Sequence, residues 1–167
     1  MESNKTEQIM GTHSSVIVLH DLFKNSLILT KRSEQLRNHP GEVCFPGGFQ
    51  EVTDQNLYST ALREVDEELG ITSDRITLIR ELEVEKTLQG LIIHPWFASI
   101  KNVFPYTMNL QEVSELIFVP MDLVNNPQNY KELRLEKDGR RIMTCQFIAN
   151  KELIWGATAR IMRQLAF

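Results

Sequence analysis

Arg63 to Ile71 reads REVDEELGI, and fifteen residues upstream of it stands the glycine pair Gly47-Gly48. Read as a helix, the run sets Glu64, Glu67 and Glu68 at i, i+3 and i+4, so about 3.6 residues per turn carries all three carboxylates on one face. Acids and bases mixed along a helix are most often a solvated surface. Yet an oxygen-rich cluster of this kind suits Mg²⁺ or Mn²⁺, hard cations that also bind phosphate oxygens. The run therefore points to chemistry at a phosphate ester or anhydride.

Working outward, the helix is expected from about Leu57 to Leu69, closed by Gly70. Leu62, Val65 and Leu69 form its apolar stripe, and the mean direction of the three glutamates lies roughly 140° from that stripe. One element thus serves both core and site. Upstream, Ser14 to Leu19 (SSVIVL) and Ser26 to Thr30 (SLILT) read as two neighbouring strands of a hairpin. Lys31 to Gly48 is polar and rich in Gly and Pro, a loop with a short strand at Glu42 to Phe45.

Downstream, Ile76 to Val84, Leu91 to Ile100 and Leu116 to Val119 are strand candidates, and Met121 to Asn125 opens a short helix. Tyr130 to Glu136 and Arg141 to Phe147 flank Lys137-Asp138-Gly139, an Asp-Gly hairpin signal. Ile154, Ala157, Ile161 and Leu165 recur at helical spacing in a terminal amphipathic helix, Leu153 to Phe167. The order β-β-loop-α-β-β-β-α implies an α/β domain with helices on both sides of a mixed sheet.

Size and composition bound the function. With 167 residues, 42% of them hydrophobic, the chain suffices for one compact domain over residues 1–167, of which 1–12 are expected to be a flexible N-terminus. A net charge of −4 excludes broad electrostatic attraction to nucleic acid or to an anionic membrane, so any phosphate-binding charge must be local. Cys44 and Cys145 are a hundred residues apart, form no CxxC pair, and read as reduced thiols. MESNKTEQIM lacks an apolar leader core, and the longest apolar stretch is too short to span a bilayer; a cytoplasmic protein is the expectation.

From Gly48 to Ile71 the chain resembles the signature of the Nudix hydrolases, G x5 E x7 REUxEExGU with U aliphatic. It departs in two ways: Asp54 stands where a Glu is usual, and eight residues rather than seven separate it from Arg63. Both changes precede the helix segment that carries the acids, so they lengthen a loop without moving the carboxylates relative to one another. A second run, Ile28-Leu29-Thr30-Lys31-Arg32-Ser33 followed by Arg37, Gly41 and Phe45-Pro46-Gly47-Gly48, resembles the LLTxRSxxxRxxxGxxxFPGG element of the coenzyme A pyrophosphatase branch. That branch also tends to carry the longer spacing. EVSELIFVP, Glu112 to Pro120, and IWGATAR, Ile154 to Arg160, extend the likeness over nearly the whole chain.

The resemblance implies a Nudix-type mixed β-sheet sandwiched between α-helices. It also implies hydrolysis, dependent on Mg²⁺ or Mn²⁺, of the diphosphate of coenzyme A or its thioesters to 3′,5′-ADP and 4′-phosphopantetheine or its acyl form. Glu64 and Glu68 would be the central metal ligands, Glu67 would share a metal, and the Gly48 carbonyl would be a further ligand. Glu67 is the first candidate for the general base and Glu115 the second. Lys31, Arg32 and Arg37 form a basic cluster suited to phosphate recognition, and Phe49 is a candidate for adenine stacking. Arg63 is expected to orient a neighbouring carboxylate, His39 to be an exposed loop residue, and His94 and Cys44 to be satisfied packing residues. The expected partner is a small molecule, with neither nucleic acid nor membrane, acting on a monomer or homodimer. Two other readings stay open: a Nudix hydrolase of another nucleoside diphosphate derivative such as ADP-ribose or a dinucleotide, and a catalytically silent nucleotide-binding module.

Overall fold

The computed structural model describes residues 12–167, so the expected flexible N-terminus lies, apart from Thr12, outside the described residues. The fold is organised around β1 (His13–Asp21), whose side chains alternate between two cores. Ile17 and Leu19 enter one cluster and Val16 and Val18 the other, as a period of two requires for a strand buried on both faces.

Antiparallel to β1 runs β2 (Ser26–Arg32), with Leu19 opposite Ile28. On the far edge of β1, β7 (Ile92–Ile100) runs parallel along its whole length, from His13 opposite Ile92 to Asp21 opposite Ile100. β5 (Thr77–Glu81) and the two-residue β6 (Glu85–Lys86) continue the sheet beyond β7, and β8 (Val113–Pro120) pairs with the outer edge of β2. Pro95 sits in the middle of β7, where its partner changes from β5 to β6. The residue without an N–H thus falls at the interruption in the ladder.

β1 and β2 stay paired only near their hairpin and then splay. Into the gap pass β3 (Val43–Cys44), paired with β2 at Thr30 opposite Cys44, and β4 (Gly47–Phe49), paired with β1 at Ser15 opposite Gly48. The Gly-Gly pair, expected in a loop, is therefore a strand. A Cβ on Gly47 would lie 2.3 Å from the Ser15 carbonyl oxygen, so only glycine lets β4 approach β1 this closely.

Helix α1 (Leu57–Leu69) covers one face of the sheet through Ala61, Val65 and Leu69. Its N-cap Asn56 accepts from the Ser59 N–H at 2.8 Å, and Gly70 closes it in the left-handed conformation at φ 63°. Leu62 is only half-buried; the buried stripe runs one residue earlier, through Ala61, and takes in Glu68.

The opposite face is covered by a three-stranded sheet and two helices. β9 (Tyr130–Lys137) and β10 (Arg140–Phe147) form the expected hairpin, turned at Asp138-Gly139 with φ of 53° and 72°, the signature of a type I′ turn. Next to β10 lies β11 (Ile154–Trp155), and the chain ends in α3 (Gly156–Arg163) after the short α2 (Met121–Val124). Ile154, expected on the terminal helix, belongs to β11, and the buried positions of α3 are Ala159, Ile161 and Met162 rather than Ala157. A mixed sheet between helices is thus the architecture. Among the described residues no helix is long and apolar enough to cross a membrane.

Candidate active site

The site lies where β1 and β2 splay, between β4 and α1. Arg63 is its scaffold. Its Nε donates to Asp54 Oδ1 at 2.9 Å and its Nη2 to Asp54 Oδ2 at 3.1 Å, a two-pronged pair that fixes the guanidinium plane. Nη2 also donates to the Phe49 carbonyl at 3.1 Å, tying α1 to the end of β4. Nη1 donates to Glu64 at 3.0 Å and to Glu67 at 3.1 Å. Asp54 accepts further bonds from Thr60 Oγ1 and the Glu51 N–H, both at 2.8 Å. The Arg63 hydrogen bond is the main reason its carboxyl is held down at about 2. The lengthened loop before α1 therefore ends in an acid that anchors the arginine.

Glu64, Glu68 and Glu112 each offer a carboxylate oxygen within 4.8 Å of the others. Glu68 comes from the buried side of α1 and Glu112 from the residue before β8. Burial, then the charges of Glu64 and Glu112, push the Glu68 carboxyl up to about 9, while the Gly47 N–H and Arg32 pull it the other way. Glu64 is pushed up to about 7, chiefly by burial and against the opposing pull of Arg63. The Oε2 atoms of Glu68 and Glu112 are buried with no hydrogen-bond partner among the described residues. Buried polar atoms in folded proteins nearly always find partners, and like carboxylates at this spacing repel. A hard dication with oxygen-only preferences would satisfy both deficits, so the donor set fits Mg²⁺ or Mn²⁺.

Gly48 lies directly above this cluster: a Cβ there would come within 2.5 Å of the Glu64 carboxyl carbon. A cavity of about 340 Å³ opens from the acids and is lined by Arg32, Leu36, Phe49, Glu64, Glu68 and Glu112 among others. Phe49 stands at its edge, half exposed.

The remaining candidates fall elsewhere. Glu67 is directed outward, its side chain 49% exposed on Arg63, so the three glutamates of α1 do not converge. Glu115 is exposed on β8, opposite Lys31, and does not line the cavity. The basic run is dispersed. Lys31 pairs with Glu152 at 3.4 Å. Arg32, next to a register shift in β2, lines the cavity and spends Nε and Nη2 on the Asn38 carbonyl at 3.2 and 3.0 Å. Arg37 is exposed in the loop, with no hydrogen bond or ion pair to the described residues. His39 is an exposed loop residue paired with Glu42, and His94 is half-buried against His13, their ring nitrogens 2.9 Å apart. Burial raises the Cys44 thiol to about 11. Glu112 lies outside the set of acids expected from the sequence; its signal is its place at the head of EVSELIFVP, the segment that also carries Glu115.

Comparison with known proteins bears on the family and the fold. The model of the NUDIX domain matches residues 11–143. The uncharacterized Nudix hydrolase NudL of Photorhabdus laumondii is 32% identical over 143 residues, 86% of this chain and 76% of that protein. Among solved structures, a MutT/nudix family protein from Enterococcus faecalis superposes with a TM-score of 0.60 at 14% identity, covering 98% of this chain and 66% of its own. The Ap4A hydrolase of C. elegans, solved as a binary complex, gives a TM-score of 0.56 at 16% identity over 65% of this chain and 80% of its own. At these identities the two structures speak to the fold alone.

Proposed function

This chain belongs to the Nudix hydrolase family, and on that premise we propose that it hydrolyses the diphosphate of coenzyme A or an acyl thioester to 3′,5′-ADP and 4′-phosphopantetheine or its acyl form. The observation that carries the hydrolytic reading is the pair of buried, unpartnered oxygens on Glu68 and Glu112 beside Glu64. Glu64, Glu68 and Glu112 would hold Mg²⁺ or Mn²⁺, with the Gly48 carbonyl as a further donor. Such an ion lowers the pKa of a bound water and neutralises charge on a leaving phosphate.

The chain's own residues do the rest. Arg63 aims Glu64 by donating to it at 3.0 Å and opposes the burial that raises its carboxyl. Glu67 shares the same Nη1 with Glu64, which supports it over Glu115 as acceptor of the attacking water's proton. Arg37, an exposed cation of the loop between β2 and β3 with no partner among the described residues, is the group for a 3′-phosphate, and half-exposed Phe49 offers a face for the adenine. Lys31, held by Glu152, and Arg32, held by Asn38, have less freedom to meet substrate. A diffusible cytoplasmic substrate is the setting this reading assumes.

Products identified by mass spectrometry from coenzyme A, 3′-dephospho-coenzyme A, ADP-ribose and dinucleotides, each with Mg²⁺ and with Mn²⁺, test it. Coenzyme A is expected among the best substrates, cleaved to 3′,5′-ADP. Preference for ADP-ribose with coenzyme A untouched would assign the other nucleoside diphosphate reading, and no turnover under any condition would overturn hydrolysis.

A further inference from the structure

The three clustered carboxylates are held in place by different means. Glu64 accepts from Arg63, and Glu68 is packed on the buried side of α1. The Glu112 carboxylate has no hydrogen bond or ion pair to the described residues, and its Oε2 is buried. Nothing at the tip of its side chain fixes it, so its place must come from the backbone that presents it.

That backbone converges on one residue. The Glu112 N–H donates to the Asn109 carbonyl at 3.0 Å and the Val113 N–H donates to the same oxygen at 2.9 Å. Asn109 Oδ1 accepts from the Gln111 N–H at 3.2 Å, the local side-chain turn that asparagine forms readily. Asn109's own N–H donates at 2.9 Å to the carbonyl of Glu68, a helix-end acceptor otherwise left open. One residue is thus bonded to the backbone of one acid and shapes the turn that carries the other.

We propose that Asn109 is a positioning residue for the acidic cluster, setting Glu112 opposite Glu68 before any cation arrives. This rests on the reading that Glu64, Glu68 and Glu112 share a dication. Because the side chain bonds to the Gln111 N–H while the backbone N–H bonds to Glu68, replacing the side chain leaves the link to Glu68 intact and loosens only the presentation of Glu112.

The test is Mn²⁺ affinity, measured without substrate by electron paramagnetic resonance of free Mn²⁺, on the full chain and on N109A, N109D and E112Q, each with a melting curve in EDTA. N109A should bind Mn²⁺ about threefold to tenfold more weakly, the scale of one local hydrogen bond. N109D, which keeps the acceptor, should recover most of that loss, and E112Q should bind more weakly than N109A. Parental affinity in N109A beside weakened E112Q would overturn the role of Asn109 alone. So would a loss in N109A that follows a fall in melting temperature and is not restored by N109D. Equal binding by the parent and E112Q would instead overturn the underlying metal reading.

Discussion

Replacing Glu68 by Gln should make the metal-free protein more stable while nearly abolishing its turnover. The Glu68 carboxyl sits at about 9 in the native state, against 4.5 when unperturbed. The native state therefore binds more protons than the unfolded chain between those values, and stability falls as pH rises through that window. At pH 7.5 the penalty is at most ~4 kcal/mol, from about three pH units at ~1.4 kcal/mol each. Gln is neutral in both states and so escapes that penalty, but it places an amide where, among the described residues, Glu68 Oε2 has no partner, an offset of about 1–3 kcal/mol. The net gain is about 1–3 kcal/mol, or roughly 2–12 °C in Tm. At pH 5 the gain should vanish, because the parent's carboxyl is then close to its unperturbed titration. Thermal and urea unfolding in EDTA at both pH values, followed by kcat with Mn²⁺, check each part. A variant less stable than its parent at pH 7.5, or equally stabilised at pH 5, would refute the idea that burial beside Glu64 and Glu112 strains this group.

Gly48→Ala should cost at least about tenfold in Mn²⁺ affinity with the fold retained, because the added methyl meets the Glu64 carboxyl at 2.5–2.9 Å; calorimetric titration measures this. Asp54→Asn should lower stability at pH 7 by about 1–3 kcal/mol by breaking the Arg63 fork. Since the native Asp54 titrates near 2 against an unperturbed 3.8, that contribution is present above about 4 and lost toward 2, so acid unfolding curves of parent and variant should converge there. Arg37→Ala should reduce kcat/KM for coenzyme A more than for its 3′-dephospho form, by about tenfold or more in the ratio, and equal losses would remove Arg37 from recognition of the 3′-phosphate.

What the sequence reveals follows from how local the signal is. Helix α1 is legible to its ends because its glycine stop and its helical spacing lie within the segment itself, although the buried stripe runs through Ala61 rather than Leu62. The Asp138-Gly139 hairpin is legible for the same reason. The parallel pairing of β1 with β7 and the entry of Gly47–Phe49 between β1 and β2 are set by partners tens of residues away, and no local period announces them. The site divides along the same line. Glu64, Glu68 and Gly48 can be read from one run, whereas Glu112 joins them through β8 and the turn at Asn109. Lys31 and Arg32 look like one basic cluster in the text; on a strand, neighbours face opposite ways, and each finds its own partner.

The most direct test is an anomalous difference map from a crystal soaked in Mn²⁺ and recorded at the manganese edge. A peak bounded by the carboxylates of Glu64, Glu68 and Glu112 is the predicted result. A map with density only at Glu67 or Glu115, or with that buried trio left bare at saturating Mn²⁺, would contradict the account.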